Sequence, residues 1–166
     1  MNLEFKTHRL KVRPINSADA LFMFELMNSE GWLKFIGDRN ISSEKDAENY
    51  IQKILDNPNF FYHLFALKES NQPIGVVTFL QRENEKFPDI GFALLPQFER
   101  NGYTYEASQA YLDRIIEMDK NQNIIGITNS ENIASQKLLE KLGLFYQGDL
   151  KKDKELLSYF SLNPKN

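Results

Sequence analysis

The stretch LPQFERNGYTYEASQAYLDRII, residues 95–116, begins as a loop and continues as an amphipathic helix after a glycine. The first N–H groups of a helix have no intrahelical acceptor and carry partial positive charge, so anions bind there. Gly102 has no Cβ to block a close approach, and Arg100 adds a charged donor nearby. The stretch therefore predicts that successive amides of residues 100–104 bind a diphosphate. A plain turn at Gly102 is the alternative, since the loop has no Walker-type GKS or GKT and no Gly-x-Gly-x-x-Gly.

The apolar runs on both sides of this stretch predict the fold class. FYHLFALKE, QPIGVVTFLQR and FPDIGFALLP are β-rich and separated by turn signals, which is typical of an antiparallel meander. After the helix that begins at Tyr103, NIIGITN indicates a short buried strand. NIASQKLLEKLG indicates a second helix ending at Gly143, and LFYQGDL and LLSYFSL indicate closing strands. This order predicts an α+β fold with a mixed, mostly antiparallel central sheet flanked by helices.

The N-terminal part adds one strand and two helices to this prediction. RLKVRPI alternates apolar and basic residues, as a half-buried strand does. A helix is expected in NSADALFMFELMNSE, with Ser17 as its N-cap. Another is expected in SSEKDAENYIQKILDNP, where Ser43 is the N-cap and Asn57-Pro58 ends the helix.

Composition limits the class of protein and its partners. A chain of 166 residues with 42% hydrophobic residues is expected to fold as a single domain, 1–166. The net charge of -3 argues against nucleic acid as a partner, because phosphate neutralisation needs clustered Lys and Arg. The longest apolar run, IGVVTFL, is far too short for a bilayer, and the N-terminus lacks the apolar core of a signal peptide. We therefore expect no membrane association and a cytoplasmic location.

Three ordered motifs carry a resemblance to a known family. IGFALLPQFERNGYTYEAS resembles the acetyl-coenzyme A segment of the GNAT superfamily of N-acetyltransferases. THRLKVRPI and NIASQKLLEKLGL resemble the first strand and the last helix of its ribosomal-protein N-terminal acetyltransferase subgroup, as in RimJ and RimL. The resemblance covers nearly the whole chain. It implies the GNAT fold, a mostly antiparallel sheet flanked by helices, and acetyl-coenzyme A as the co-substrate.

The resemblance also implies which residues hold the coenzyme. The pantetheine arm would pair with the strand before the loop, at the backbone of Leu94 and Leu95. The other coenzyme contacts would come from the loop and the second helix: Arg100, Asn101, Gly102, Tyr103, Thr104 and Asn132. Two positions depart from the family pattern, Glu99 where glutamine or arginine is usual and Thr104 where glycine or alanine is usual. A carboxylate at position 99 would repel a diphosphate unless it faces solvent or pairs with Arg100.

Catalytic roles follow from the same resemblance. Ser135 would protonate the departing thiolate, although Asn132 and Ser135 also suit a simple helix cap. Glu83 is the carboxylate expected to act as general base, and a plain solvated turn or a water relay are its alternatives. Asp89 and Glu106 rank behind Glu83 as candidates for this base, and Glu106 is expected to support the loop helix. A backbone N–H near Leu94 or Leu95 would stabilise the charge developing on the acetyl oxygen.

The predicted reaction is direct attack by a primary amine on acetyl-coenzyme A in a ternary complex, because the chain has no cysteine to form an acyl-enzyme. The acceptor would be a peptide N-terminal α-amine or a small amine such as a polyamine or antibiotic. A noncatalytic acyl-coenzyme A binding or sensing module is the alternative from another class, as is a binder of nucleotide phosphates. A homodimer is a candidate assembly.

Four other side chains are expected to be structural. His8 and His63 lie far apart and have no neighbouring ligands at a metal-binding spacing, so no metal site is predicted. Trp32 and Phe35 would either wall the acceptor pocket or pack in the core.

Overall fold

One mixed sheet runs through the chain in the computed structural model, which describes residues 1, 3–120, 122–152 and 154–163. Within these ranges the sheet has eight strands: β1 Phe5–Lys6, β2 Leu10–Pro14, β3 Phe60–Leu67, β4 Pro73–Leu80, β5 Asp89–Leu94, β6 Ile125–Asn129, β7 Phe145–Lys152 and β8 Glu155–Ser161. The same ranges contain five α-helices: α1 Ala20–Met27, α2 Glu30–Phe35, α3 Glu44–Leu55, α4 Tyr103–Met118 and α5 Ile133–Lys141.

The strands lie in the order β1-β2-β3-β4-β5-β6-β8-β7 across the sheet. Neighbouring strands are antiparallel except β5 and β6, which run parallel. The parallel pair follows from the helix α4 between them, because a parallel connection must carry the chain back to the edge where the previous strand began. The prediction of a mixed, mostly antiparallel sheet is confirmed, together with the β3-β4-β5 meander.

Helices cover the two faces of the sheet and bury two apolar clusters. On the α4–α5 face, Tyr111 of α4 and Leu139 of α5 are completely or almost completely buried against the strands. On the α1–α3 face, Met23 of α1 and Ile51 of α3 are equally buried. Trp32 of α2 belongs to the second cluster, so core packing is its role in this fold. The sheet is therefore the middle layer of three.

Helix α3 begins and ends where the sequence predicts. The Ser43 hydroxyl accepts a hydrogen bond from the Asp46 N–H at 3.1 Å, which makes Ser43 the N-cap. The helix ends at Leu55, two residues before Asn57-Pro58. The short elements β1 and α2 had no counterpart in the predicted set, because two and six residues are too few to show a periodic pattern.

The predicted N-cap at Ser17 is wrong. Asn16 caps this segment, since its side-chain oxygen accepts from the Ala18 N–H at 2.9 Å. The Asp19 carboxylate accepts in return from the Asn16 N–H at 2.9 Å, which completes a reciprocal capping box. The enclosed residues Ser17–Asp19 form a 3-10 turn, and α1 starts only at Ala20. The Arg13 guanidinium binds the same carboxylate at 2.6 Å, so a long-range ion pair helps select this cap.

His63 of β3 lies in the core of the α4–α5 face, whereas His8 is exposed. The imidazole Nε2 accepts a hydrogen bond from the Leu3 N–H at 3.3 Å, and the ring centroid is 4.9 Å from that of Tyr111. Burial lowers the pKa of His63 to about 4, and the N-terminal ammonium contributes in the same direction. His63 is therefore neutral in the folded protein at pH 7.

This depressed pKa predicts a pH-dependent stability. Between pH 6.5 and 4 the unfolded chain binds a proton at His63 that the folded protein does not, so stability falls as the pH falls through this window. We expect His63 to contribute a loss of about 3 kcal/mol between pH 7 and pH 4. Asp89, whose pKa burial raises to about 6, acts in the opposite direction and masks most of this loss in the wild-type protein.

Urea unfolding of the wild-type protein and of His63→Phe at both pH values separates the two effects. Phenylalanine keeps a ring against Tyr111 and cannot titrate, so the variant should lack the His63 share of the pH dependence. Equal pH dependence in the two proteins would contradict the assignment.

Candidate active site

The two parallel strands separate almost as soon as they meet. β5 and β6 share a single paired position, Asp89 with Ile125. The next ladder bond is replaced, because the Ile127 N–H donates to the Asp89 carboxylate at 3.2 Å and not to the main chain of β5. Beyond this point no pairing joins the two strands within the described residues. A wedge-shaped gap therefore opens toward the carboxyl ends of β5 and β6, with Asp89 at its closed end.

The main chain of β5 presents free amides to this gap. The Leu95 N–H donates to the Ile74 carbonyl of β4 at 2.9 Å, and the Leu95 carbonyl accepts from the Phe98 N–H at 3.0 Å. Because hydrogen-bonding directions alternate along a strand, the N–H groups of Phe92 and Leu94 point the other way, into the gap. Of the two backbone positions predicted for the pantetheine arm, Leu94 faces the gap and Leu95 is engaged elsewhere. The Leu95 N–H is likewise committed to β4 and cannot meet the acetyl oxygen.

The glycine loop lies at the open end of the gap. It contains two residues in the left-handed region, Arg100 with φ 61° and Gly102 with φ 77°. The first helical N–H with an acceptor is that of Glu106, which donates to the Gly102 carbonyl at 3.1 Å. Among the described residues, no backbone N–H of residues 100–105 has an acceptor in the protein. This run of unpaired amides fits a diphosphate, because each amide can donate one hydrogen bond to an anionic oxygen.

Side chains of the loop itself hold its shape. The Asn101 amide nitrogen donates to the carbonyls of Phe98 at 3.2 Å and Glu99 at 2.9 Å. The Glu99 side chain is exposed and forms no ion pair with another described residue, so its carboxylate faces solvent. Turning to solvent removes most of the repulsion that a carboxylate at this position would exert on an anion.

Helix α5 begins at the same edge of the sheet. β5 and β6 run parallel, so their carboxyl ends and the helices that follow them share one edge. Asn132 is the predicted N-cap of α5, and this is confirmed by the hydrogen bond from the Ser135 N–H to its side-chain oxygen at 3.1 Å. The Asn132 amide nitrogen and the Ser135 hydroxyl have no partner among the described residues. Both therefore keep free hydrogen-bonding capacity at this edge of the sheet.

Four polar side chains surround the closed end of the gap. Asp89 is 3% exposed, and its second carboxylate oxygen accepts from the Arg82 Nε at 2.9 Å. Burial raises the pKa of Asp89 to about 6, and the Arg82 charge opposes this rise. Beside them, the Tyr159 hydroxyl donates to the Glu85 carboxylate at 3.0 Å, and burial raises the pKa of Tyr159 to about 12.

The sequence contains no signal for the cluster of side chains around Asp89, because Arg82, Glu85 and Tyr159 match no motif. Glu83, the base expected from the sequence, is exposed in the loop between β4 and β5 and makes no hydrogen bond among the described residues.

Glu106 supports the loop helix as predicted. Its carboxylate accepts from the Thr7 hydroxyl at 2.6 Å, from the Arg9 N–H at 2.8 Å and from the Arg9 Nε at 2.7 Å. Partial burial raises the pKa of Glu106, but these hydrogen bonds outweigh burial and hold the pKa below its ordinary value. Glu106 thus stays ionised at neutral pH and is fully occupied by structural partners.

The site thus combines three features at one edge of the sheet: a splayed parallel pair, a glycine loop of free amides and the start of a second helix. The sequence profile of the family described as "Acetyltransferase (GNAT) domain" matches residues 9–144, and the chain belongs to this family of acetyltransferases. The "Uncharacterized N-acetyltransferase YnaD" of Bacillus subtilis is 27% identical over 151 residues, which cover 90% of this chain and 87% of the relative.

Solved structures share the whole fold. The acetyltransferase (GNAT family) from Bacillus anthracis superposes with a TM-score of 0.82 at 24% identity, over 99% of this chain and 100% of that one. RimL, the ribosomal L7/L12 alpha-N-protein acetyltransferase in complex with coenzyme A, superposes with a TM-score of 0.83 at 14% identity, over 96% and 97%.

Two further observations concern membranes and metals. None of the described helices combines the length and apolar character needed to cross a bilayer. Within the described residues, no cluster of three or more His, Cys, Asp or Glu side chains is arranged to bind a metal ion.

Proposed function

We propose that this acetyltransferase transfers the acetyl group of acetyl-coenzyme A to the α-amine of a protein N-terminus, by direct attack within a ternary complex. The observation that carries the coenzyme assignment is the run of unpaired amides at residues 100–105, placed at the mouth of the gap between β5 and β6. RimL, an alpha-N-protein acetyltransferase, shares the fold and supports the choice of acceptor.

The residues present suit two parts of the coenzyme, the diphosphate and the pantetheine arm. The amides around Gly102 would hold the diphosphate, with Arg100, Asn101, Tyr103 and Thr104 forming the rest of the loop. Backbone groups of Leu94 on one side of the gap and the Asn132 amide nitrogen on the other would hold the pantetheine arm. Acetyl-coenzyme A supplies an acyl group activated as a thioester. The protein supplies its placement and the proton transfers.

The acceptor amine must lose its proton before it can attack. A lysine-type amine with a pKa of about 10.4 is neutral only about once in 2,500 at pH 7, which costs roughly 4.6 kcal/mol. An α-amine with a pKa of about 7.7 costs only about 1 kcal/mol. A single carboxylate with a pKa near 6 is a sufficient base for an α-amine. The chemistry of the site therefore favours an α-amine.

We propose Asp89 as the carboxylate that takes this proton, through a lone pair that its hydrogen bonds to Ile127 and Arg82 leave free. It lies at the closed end of the gap, and its pKa of about 6 keeps it mostly ionised at pH 7 while remaining close to the working pH. Glu83, the base expected from the sequence, is the competing candidate and lies one loop away. The Leu94 or Phe92 N–H, both directed into the gap, would stabilise charge on the acetyl oxygen.

Replacing Ser135 with alanine should lower kcat while leaving coenzyme affinity within about twofold, because the hydroxyl is proposed to protonate the leaving thiolate. General acid catalysis contributes about 10²- to 10⁴-fold, and the low basicity of a thiolate places the expected effect at the lower limit. Asn132→Asp is the matched comparison: it keeps the oxygen that caps α5 and removes the amide donors, so coenzyme binding should weaken more than kcat falls. Stopped-flow thiol release and calorimetry measure the two quantities, and an unchanged rate in Ser135→Ala would remove its acid role.

A thiol-release assay with a panel of amines tests the acceptor. The panel contains peptides with a free N-terminus, the same peptides with a blocked α-amine and a free lysine, polyamines and aminoglycosides. Turnover is expected with the first group and not with the second. Turnover with polyamines or aminoglycosides alone would assign a small-molecule acceptor. Coenzyme A binding without any turnover would favour a noncatalytic module, and ADP binding as tight as that of coenzyme A would favour a nucleotide-phosphate binder.

A further inference from the structure

Arg9, in the turn between β1 and β2, contacts the glycine loop although the two are far apart in sequence. Its Nε donates to the Glu106 carboxylate at 2.7 Å, and its Nη1 donates to the Asn101 carbonyl at 2.9 Å. The guanidinium carbon lies 4.4 Å from the centroid of the Tyr103 ring, a stacked cation–π contact. Its Nη2 is 3.6 Å from the position that a Cβ on Gly102 would occupy. One side chain thus touches both ends of the loop-to-helix junction.

Both carboxylate oxygens of Glu106 are tied to the same turn. One oxygen accepts from the Thr7 hydroxyl and the Arg9 N–H, and the other accepts from the Arg9 Nε. The first turn of α4 is therefore anchored to the turn between β1 and β2 by three hydrogen bonds. The planar guanidinium suits this place, because its donors point in fixed directions and can serve Glu106 and Asn101 together.

The bond to Asn101 sets the direction of a peptide group that the coenzyme needs. In a trans peptide the C=O and the following N–H point in opposite directions. Holding the Asn101 carbonyl on Arg9 therefore turns the Gly102 N–H away from Arg9, to the open side of the loop. Rotation of this peptide would break the bond and present a carbonyl oxygen to an anion. Gly102, on one side of this peptide, has no Cβ to hinder such a rotation and has a φ of 77°.

We propose that Arg9 is a positioning residue for coenzyme binding, which keeps the amides of the glycine loop directed at the diphosphate. This role rests on the proposed function, because it assumes that the loop binds the diphosphate of acetyl-coenzyme A.

Two substitutions at Arg9 and one matched control test the role. Arg9→Gln removes the positive charge and the guanidinium N–H donors. Arg9→Lys keeps the positive charge without the guanidinium. Arg114→Gln is the control: the Arg114 guanidinium lies 3.8 Å from the ring centroid of Phe5 and its Nη1 donates to the Ala110 carbonyl at 2.7 Å. Its cation–π contact joins β1 to α4 away from the loop, and its hydrogen bond stays within α4.

Calorimetry measures the Kd of coenzyme A, and turnover is compared between acetyl-coenzyme A and S-acetylpantetheine, which lacks the diphosphate. For Arg9→Gln we expect Kd and the KM for acetyl-coenzyme A to rise about tenfold or more, with kcat unchanged and S-acetylpantetheine turnover equal to wild type. Arg9→Lys should remain nearly as weak, because one ammonium cannot bond to Glu106 and Asn101 while stacking on Tyr103. Arg114→Gln should bind coenzyme A like the wild type.

Each other outcome overturns the role. Wild-type affinity in Arg9→Gln removes Arg9 from coenzyme binding and leaves the proposed function standing. Full recovery in Arg9→Lys shows that charge alone matters. An equal loss with S-acetylpantetheine, or a loss in Arg114→Gln, shows general damage to the fold, which thermal unfolding of each variant without ligand checks directly. Failure of the wild-type protein to bind coenzyme A contradicts both the proposed function and this role.

Discussion

Asp89→Asn is expected to lower kcat/KM by about 100-fold or more, because general base catalysis contributes about 10²- to 10⁴-fold. Asparagine keeps an oxygen that can accept from the Ile127 N–H, so the gap between β5 and β6 should persist. A neutral side chain also suits this buried place, since burial already raises the pKa of Asp89 to about 6. Asparagine cannot also accept from the Arg82 Nε, so some stability should be lost together with the catalytic base. Steady-state kinetics with circular dichroism of the variant measures both.

The pH profile distinguishes a base from a merely structural carboxylate. For the wild-type protein, kcat/KM should rise with pH in two steps. The first step lies near pH 6 and comes from Asp89, and the second lies near the pKa of the α-amine acceptor, about 7.7. Asp89→Asn should lose the first step only. Arg82→Gln should move that step to higher pH, because the Arg82 charge lowers the Asp89 pKa. Glu83→Gln is the competing variant: a larger loss there than in Asp89→Asn would assign the base to Glu83.

Gly102→Val is expected to raise the Kd of coenzyme A by at least about tenfold, which corresponds to about 1.4 kcal/mol. The φ of 77° at Gly102 lies in the left-handed region, which a β-branched residue avoids. The loop must either keep this strain or shift, and a shift misdirects the amides of residues 100–105. Calorimetric titration with coenzyme A measures the change.

Gly143→Val is the control for backbone strain. Gly143 has a φ of 88° and nothing within 4 Å of an added Cβ, so the substitution imposes similar strain at the far end of α5. Both variants should lose on the order of 1–3 kcal/mol of stability. Coenzyme affinity should fall in Gly102→Val alone. An equal fall in both variants would trace the effect to lost stability, and unchanged affinity in Gly102→Val would show that the loop does not contact the coenzyme.

Local patterns in the sequence predicted most of the elements and part of the candidate site. The caps at Ser43 and Asn132 could be read directly, because each joins a side chain to a backbone group three residues away. The free amides around Gly102 also follow from local chemistry, since any helix start leaves its first N–H groups unpaired. The mostly antiparallel sheet followed from the spacing of its strands and turns.

Interactions between distant residues decided the rest. Asn16 displaced Ser17 as a cap partly because Arg13 holds the Asp19 carboxylate, an ion pair that no local pattern marks. Asp89 accepts from the amide of Ile127, 38 residues later, at the closed end of the gap, and Arg9 donates to the carbonyl of Asn101, 92 residues later, in the glycine loop. The sequence by itself determined which segments form strands, helices and the glycine turn with its unpaired amides, because those choices depend on neighbours within about four residues. Only the tertiary structure decided where the sheet splits and which carboxylate lies at that split, since strand register and burial arise when the whole chain packs together.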